Sequence, residues 1–439
     1  MVTTNMPQKS SERKPQEEFT GKNLTRFGGA GLVRRFFKKL HLTQHLKIVG
    51  THKRRKDDYS PFEVCFSLIF AMMMGVFRPY HMKEFMEDKV FQGLAGLKRF
   101  PSQSTISRFL SAITVHKAEH IAEINFKILK KVRKGFQDLD TITLDLDSHV
   151  IPVFGKQHRA EKGYNPKKPG RPSYHPLMCF IGETRDYIGG VFRPGNRTSG
   201  YKAKEFLQAV LKKLPGNKVR RLRADSGFFS IEFLCWLMKR QIEFYVVVPQ
   251  QVWLQRLILG ISNWREFDKN LSVGELRLPF PSLKDVRVVV IRELVRKGEK
   301  PRKELQLFSV QETLYNYQVI ATNSTAPGED VWRDYNQRAC CENFIKESIY
   351  GFGLDKSVTE HWAGARLYFE LIMLAYNLMN WFKEKALGCK DKKEMAGTIR
   401  WKFFWIPAKL ATSGRKVRLK LANWWPHKVE FIKALEALS

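Results

Sequence analysis

A mixed α/β fold with an all-helical N-terminal region and a strand-rich insertion is what the sequence predicts, and three observations predict it. Hydrophobic spacing is helical from Phe27 to about Gly135 and changes to strict alternation near residue 140. Beyond that point strand-like runs alternate with helical stretches, the pattern of an α/β layer. The chain has 439 residues, and single cores tend to split beyond roughly 250 to 300 residues, so about two to four compact units are expected.

Residues 1–20 are polar and charged and predict a disordered tail. Residues 21–138 predict a helical DNA-binding region, with LVRRFFKKLHLTQHL, PFEVCFSLIFAMMMGVF and, after a Pro101-Ser102 start, QSTISRFLSAI. In the last segment Ile106, Phe109, Leu110 and Ile113 share one face while Ser104, Thr105 and Arg108 share the other. That arrangement suits a DNA-reading helix with Arg108 outward, or an ordinary helix pair. Residues 139–250 begin the layer: Ile142, Leu144 and Leu146 point one way, Thr143, Asp145 and Asp147 the other. Strands at YHPLMCFIG and YIGGVFRP, a helix over 201–214, a strand over 219–225, a helix near 230–240 and the strand IEFYVVVP follow. Residues 251–314 predict the insertion, in which DVRVVVIREL and ELQLFSV flank KGEKP. The α/β pattern resumes over 315–386 with YNYQVIATN and helices over 329–349 and 358–386. Residues 387–439 are basic and aromatic and predict a separate small element.

Lysine and arginine number 76 against 43 acidic residues, a net charge of +33. A cationic field of that size draws the chain onto polyanions and makes nucleic acid the leading partner. The charge is spread along the chain, not gathered beside an apolar helix, which argues against a membrane surface. The apolar runs Phe66–Phe77 and Leu367–Phe382 read as core helices, the first too short for the ~20 residues of a bilayer span and the second interrupted by Glu370, Asn377 and Asn380. The opening residues contain no hydrophobic segment, so no secretory signal is expected. Six cysteines without C-x-x-C spacing predict reduced thiols. A cytoplasmic, nucleoid-associated protein fits these features.

Three acidic positions carry the chemistry. Asp145 and Asp147 share one strand face, where two carboxylates repel unless a cation or solvent compensates; alternation does not decide which is a ligand, and the other reads as an exposed edge residue. Asp225 ends VRRLRAD before Ser226-Gly227 breaks the strand, the place where open α/β layers hold ligands. A turn aspartate is the plain alternative. Tyr335, Arg338, Glu342, Lys346 and Ile349 fall within a helical stripe of about 80°. Arg338 and Lys346 would bracket Glu342, as i,i+4 pairs on a solvated face or as phosphate contacts. Three such carboxylates can hold two Mg²⁺ ions roughly 3.5 to 4 Å apart, which predicts DNA strand cleavage. In the loop EKGYNPKKPGRPSYHP, Lys162, Lys167, Lys168 and Arg171 suit phosphates or a minor groove, unless the segment is a plain hairpin loop. Trp253 and Trp264 suit stacking on an unpaired base, or core packing. The sequence contains no H-E-x-x-H motif, and His149 and His175 read as ordinary polar residues.

At LDLDSHVIPVFGKQ, KGYNPKKPGRPSYHP, RADSGFF and DYNQRACCENFIKE the chain resembles bacterial insertion-sequence transposases of the DDE type. The branch is the one related to piggyBac, which carries a strand-rich insertion between the second aspartate and the glutamate. Separations of 78 and 117 residues agree, and the resemblance covers about 140–386. It implies an RNase H-like catalytic core, divalent metal (Mg²⁺, with Mn²⁺ able to substitute) and cut-and-paste movement of an element recognised by its terminal inverted repeats. A homodimer in the synaptic complex with element ends and target DNA is also implied. Carried over by position, Asp147, Asp225 and Glu342 form the metal-binding triad. Asp147 is preferred to Asp145 because small Ser148 follows it and the chain runs on to Gly155-Lys156. Tyr335, Arg338 and Glu342 match the related Tyr-Arg-Glu-Lys signature, whose lysine falls where Ile349 stands, one turn beyond Lys346. A nuclease that cuts without joining and a non-catalytic DNA-binding derivative are the competing readings.

Overall fold

The computed structural model describes residues 17–53, 55, 58–166, 168–295, 315–389, 393–414 and 416–439. Most of the expected tail, Lys167 and the expected strand ELQLFSV lie outside the described residues.

A short strand, β1 (Leu24–Thr25), precedes helices α1 (Ala30–Lys39), α2 (Leu42–Leu46), α3 (Pro61–Met74), α4 (Lys83–Met86), α5 (Lys89–Ala95), α6 (Gln103–Ala112) and α7 (Val115–Val132). The start of α3 is fixed by a reciprocal cap: Ser60 Oγ accepts from Glu63 N, Glu63 Oε2 accepts from Ser60 N at 2.8 Å, and Pro61 occupies the first turn. Gly75, at φ +96°, ends it. Every residue from Val64 to Met74 is buried, as expected of a helix that is apolar all round and enclosed by others. On α6, Ile106 and Leu110 are buried and Arg108 is exposed, as the spacing predicts.

The layer comprises β2 (Ile142–Ser148), β3 (Ile151–Pro152), β4 (Ser173–Tyr174), β5 (Leu177–Ile181), β6 (Tyr187–Val191), α8 (Ala203–Leu211), β7 (Val219–Ala224), α9 (Ile231–Lys239) and β8 (Glu243–Val247). The next stretch supplies α10 (Val252–Leu259), β9 (Arg265–Asp268), β10 (Leu271–Arg277), β11 (Arg287–Leu294) and β12 (Tyr315–Thr322). Among the described residues nine strands form one sheet in the order β6-β5-β2-β7-β8-β12-β11-β10-β9. Strands β2, β7 and β8 run parallel; β5 is antiparallel to β2, and β6, antiparallel to β5, runs again in the direction of β2. The segment expected as an insertion is therefore an extension of the core sheet: β12 pairs with β8, matching Ile320 with Val247, and β9 to β11 continue from it.

Three helices complete this part, α11 (Gly328–Asn336), α12 (Ala339–Phe352) and α13 (Trp362–Lys385). The single helix expected over 329–349 is broken between Asn336 and Ala339. Helix α13 is buried over most of its length and packs on α3, α6 and α7 as well as α12 and β6, joining the helical region to the sheet. Contact with α6 requires glycine, since a Cβ at Gly364 would lie 2.3 Å from the Leu110 carbonyl oxygen.

The basic C-terminal segment contains α14 (Ala396–Ile399), a wide helical turn over Arg400–Phe404, β13 (Ala408–Ser413), β14 (Lys416–Leu421) and α15 (Lys428–Ala437). It is knit into the helical region and does not stand apart. Strand β13 pairs with both β1 and β14. Arg400 donates to the carbonyls of Met72 and Met73 at 2.7 and 2.9 Å, and Trp405 Nε1 to that of Met74 at 2.8 Å, satisfying the end of α3. All six cysteines are free, with Cys65, Cys179 and Cys341 buried. No single helix among the described residues is long and apolar enough to cross a membrane.

Candidate active site

Parallel pairing of β2 with β7 places Asp145 opposite Arg223. Two residues further along, Asp147 and Asp225 therefore emerge side by side at the carboxyl ends of adjacent strands, where open sheets hold ligands. Helix α12 brings Glu342, in its first turn, to the same opening. Asp147, Asp225 and Glu342 line one pocket of about 430 Å³ with Ser226, Val247, Gln318, Tyr335 and Arg338.

The three carboxylates differ in setting. Asp147 is buried, Asp225 is partly exposed, and Glu342 is open to solvent. Burial pushes the Asp147 carboxyl up to about 7; Arg338 opposes that shift, and Asp225 and Glu342 add to it. Asp225 turns its Oδ1 back to accept from Gly227 N at 2.9 Å, which forms the strand-ending turn.

Arg338 sits at the break between α11 and α12, and the break explains its direction. Its guanidinium is buried, 3.3 Å from Asp147 and 3.7 Å from Asp225. Burial disfavours its charge, yet Asp147, Tyr335 and Asp225 together hold it more firmly protonated than usual. Among the described residues its Nε is buried without a hydrogen-bond partner. The expected bracket about Glu342 is thus half present: Lys346 lies 3.9 Å from Glu342, while Arg338 turns inward to the aspartates.

Asp145 does not belong to the pocket. It is fully buried and accepts two hydrogen bonds from Arg223, at 2.6 and 2.8 Å. Arg223 also donates to the Asp334 carbonyl at 2.8 Å, tying β7 to the end of α11. Neither strand aspartate is the exposed edge residue expected for one of them, because the α11–α12 junction covers that face. Tyr335 is buried too, packed with Tyr245, Val289 and Ile320, and burial pushes its hydroxyl up to about 12.

A histidine network behind Asp147 had no sequence signal beyond a lone His at the start of a strand. His175 Nδ1 donates to the Arg197 carbonyl at 2.7 Å, which leaves Nε2 to accept from Ser148 Oγ at 2.9 Å. Ser199 Oγ lies 2.8 Å from Ser148 Oγ, and Ser148 N donates to Asp147 Oδ1 at 2.8 Å. Burial lowers the proton affinity of His175, so the neutral ring braces the residue beside Asp147.

The cationic loop spans a small hairpin, since β3 pairs with β4. Lys162, Lys168 and Arg171 are exposed on it. Trp253 packs edge-on against Phe280, and Trp264 lies under the Arg292 guanidinium at 4.2 Å; both indoles are half-buried within the extended sheet region.

Among the described residues no three Asp, Glu, His or Cys side chains are gathered tightly enough to hold a metal ion. The donor set nevertheless fits a hard divalent cation: three carboxylates face one opening, without competing sulfur or imidazole. The buried aspartate among them is balanced by an arginine reaching in from the α11–α12 break and by the Ser148 N–H.

A family model described as transposase DDE domain group 1 matches residues 8–439. A cryo-EM structure of the piggyBac transposase synaptic complex with hairpin DNA is similar over 88% of this chain and 77% of its own, at 13% identity and a TM-score of 0.47. No curated protein matches.

Proposed function

The chain belongs to the family of transposases with a group 1 DDE domain, and from that premise we propose that Asp147, Asp225 and Glu342 are its catalytic triad. Meeting of these three carboxylates at one pocket is the observation that carries the reading. The strand order β6-β5-β2-β7-β8, with β5 alone reversed among them, supports an RNase H-like core. On this reading the enzyme binds the terminal inverted repeats of an insertion sequence, cleaves at each element end, and joins the freed 3′-hydroxyl to target DNA.

Two Mg²⁺ ions, or Mn²⁺ in their place, would be held by the triad and would supply activation of the attacking hydroxyl and stabilisation of the leaving oxygen. The protein's own groups prepare the pocket. Ser148, locked by His175, fixes the rotamer of Asp147 through its backbone N–H. Arg338 supplies a buried donor fork beside the two aspartates, suited to a phosphate oxygen once they are neutralised. Lys346 and the exposed loop cations, Lys162, Lys168 and Arg171, flank the path of a DNA backbone.

Duplex DNA would be gripped by the helical region. A groove there is lined by Arg34, Arg35, Lys38, Lys39, Lys98 and Arg99, a density of cations that favours phosphates. Holding two element ends requires two copies, so a homodimer forms the synaptic complex. Asp225→Asn and Glu342→Gln should abolish Mn²⁺-dependent nicking of an inverted-repeat duplex while leaving its binding intact; nicking that survives either change removes the triad. Joining of pre-cut ends to a plasmid separates a transposase from a nuclease of the same core.

A further inference from the structure

We propose that a second cleft beside the triad holds unpaired nucleotides of a DNA strand, stacked on exposed aromatic rings; this rests on the reading that the protein acts on DNA. The cleft, of about 790 Å³, lies between the helical region and the layer and is lined by Tyr80, Phe154, Lys168, Lys346, Tyr350 and Lys356, among others. Its position relative to the triad follows from α12. Glu342 faces the carboxylate pocket, Lys346 one turn later lines the cleft, and Tyr350 one turn beyond lines it too. From the other side, β2 ends at Ser148, and His149 and Val150 enter the cleft wall two and three residues after Asp147.

Three rings in this cleft are exposed to solvent, and Tyr80 among them carries the Lys83 ammonium over its face at 4.6 Å. Tyr350 is 76% exposed, Phe154 66% and Tyr80 56%. A phenylalanine this exposed buries little apolar surface for the fold, and the cations around it indicate what it meets. Lys168 Nζ and the Arg171 guanidinium stand 4.5 and 4.6 Å from the Phe154 ring centre, while Arg78, Lys346 and Lys356 line the same walls. Asp355 is the acidic residue among the lining, and it pairs with Lys356 at 2.8 Å. Rings set among cations match a partner that is anionic along its backbone and flat in its side groups. In a duplex the flat faces of the bases are already stacked on one another, so the occupant is unpaired. Stacking of this kind tolerates any base.

The test uses the full chain in EDTA, where no cleavage occurs. Fluorescence anisotropy compares a blunt duplex, the same duplex with a five-nucleotide overhang, and one whose overhang is abasic. The expected result is a preference for the normal overhang over both others of about fivefold or more for each base stacked. Phe154→Ala with Tyr350→Ala should remove that preference and leave blunt-duplex affinity unchanged, while Phe154→Trp should retain it. Equal binding of normal and abasic overhangs, or a preference that survives the double substitution, overturns the proposal. Because the measurement needs no metal and no cleavage, its failure is distinct from failure of the triad, which is scored by nicking.

Discussion

Arg338 holds its guanidinium 3.3 Å from the carboxylate of Asp147, in the space where a bound cation would balance the same charge. Arginine and a metal held by the triad would therefore share one electrostatic task, and removal of the arginine should make the protein lean on added metal. Arg338→Ala leaves a buried carboxylate uncompensated, a change that costs about 3 kcal/mol at comparable sites. The expected outcome is a lower melting temperature in EDTA and a larger rise on adding Mg²⁺ or Ca²⁺ than the parent shows. Equal metal-induced shifts in the two proteins would separate Arg338 from the metal site.

Asp145 and Asp147 lie two residues apart on one strand but differ in their partners, and stability and activity should part accordingly. Asp145→Asn strands the buried Arg223 and should cost about 3 to 5 kcal/mol in urea unfolding. Asp147→Asn should abolish nicking at a smaller cost in stability, because burial already disfavours the charge removed and Asp225 still stands 3.7 Å from the buried Arg338. A stable Asp145→Asn protein without activity would reverse the two roles.

Glu370 gives a pH signature. Burial within α13 raises its carboxyl to about 8, with Arg366 and the Tyr187 hydroxyl only partly opposing. The folded chain thus keeps a proton that the unfolded chain releases near the ordinary glutamate value, and stability falls as pH rises between those two values. Glu370→Gln removes this contribution. Its unfolding free energy in urea relative to the parent should climb from pH 5 to pH 8, by at most about 1.4 kcal/mol per pH unit, and then level off. A constant difference across that range would show that Glu370 is ionised throughout.

Glu347 anchors the helix that carries Glu342. It accepts from Lys383 at 2.8 Å and from Ala396 N at 3.0 Å, and both Glu347 and Lys383 are buried. Glu347→Leu alone leaves the lysine unpaired and should cost about 3 to 5 kcal/mol. Adding Lys383→Met should recover most of that loss. A double-mutant cycle by urea unfolding measures the coupling, and additive losses would mean that the pair is not mutually dependent.

How much was legible in the sequence follows from the range of each interaction. The change from helical to alternating period near residue 140 marked β2, and the breaker after Arg-Ala-Asp marked the end of β7, since both are local. Alternation also placed Asp145 and Asp147 on one face, but their separation depends on Arg223 standing opposite Asp145 in the neighbouring strand, a register that no local pattern encodes. The break before α12 was invisible for a related reason. Gln337, Arg338 and Ala339 are good helix formers, and the helix yields there where Arg338 turns toward two aspartates from distant strands. His175 lacks any periodic signal and acquires its partners, Ser148 and Arg197, only through folding.

The three-stranded sheet that joins β1 to β13 and β14 has a consequence for how the protein is made. Thr25 finds its strand partner at Ala408, and the carbonyls that end α3 are satisfied by Arg400 and Trp405. A nascent chain that has not yet exposed Arg400 to Ala408 lacks these partners, so its amino-terminal helices stay incomplete until that distant stretch has been made. Assembly of the amino-terminal helices therefore waits on a segment far along the chain, and damage to Arg400, Trp405 or the Ala408–Ser413 strand acts on helices that precede the layer.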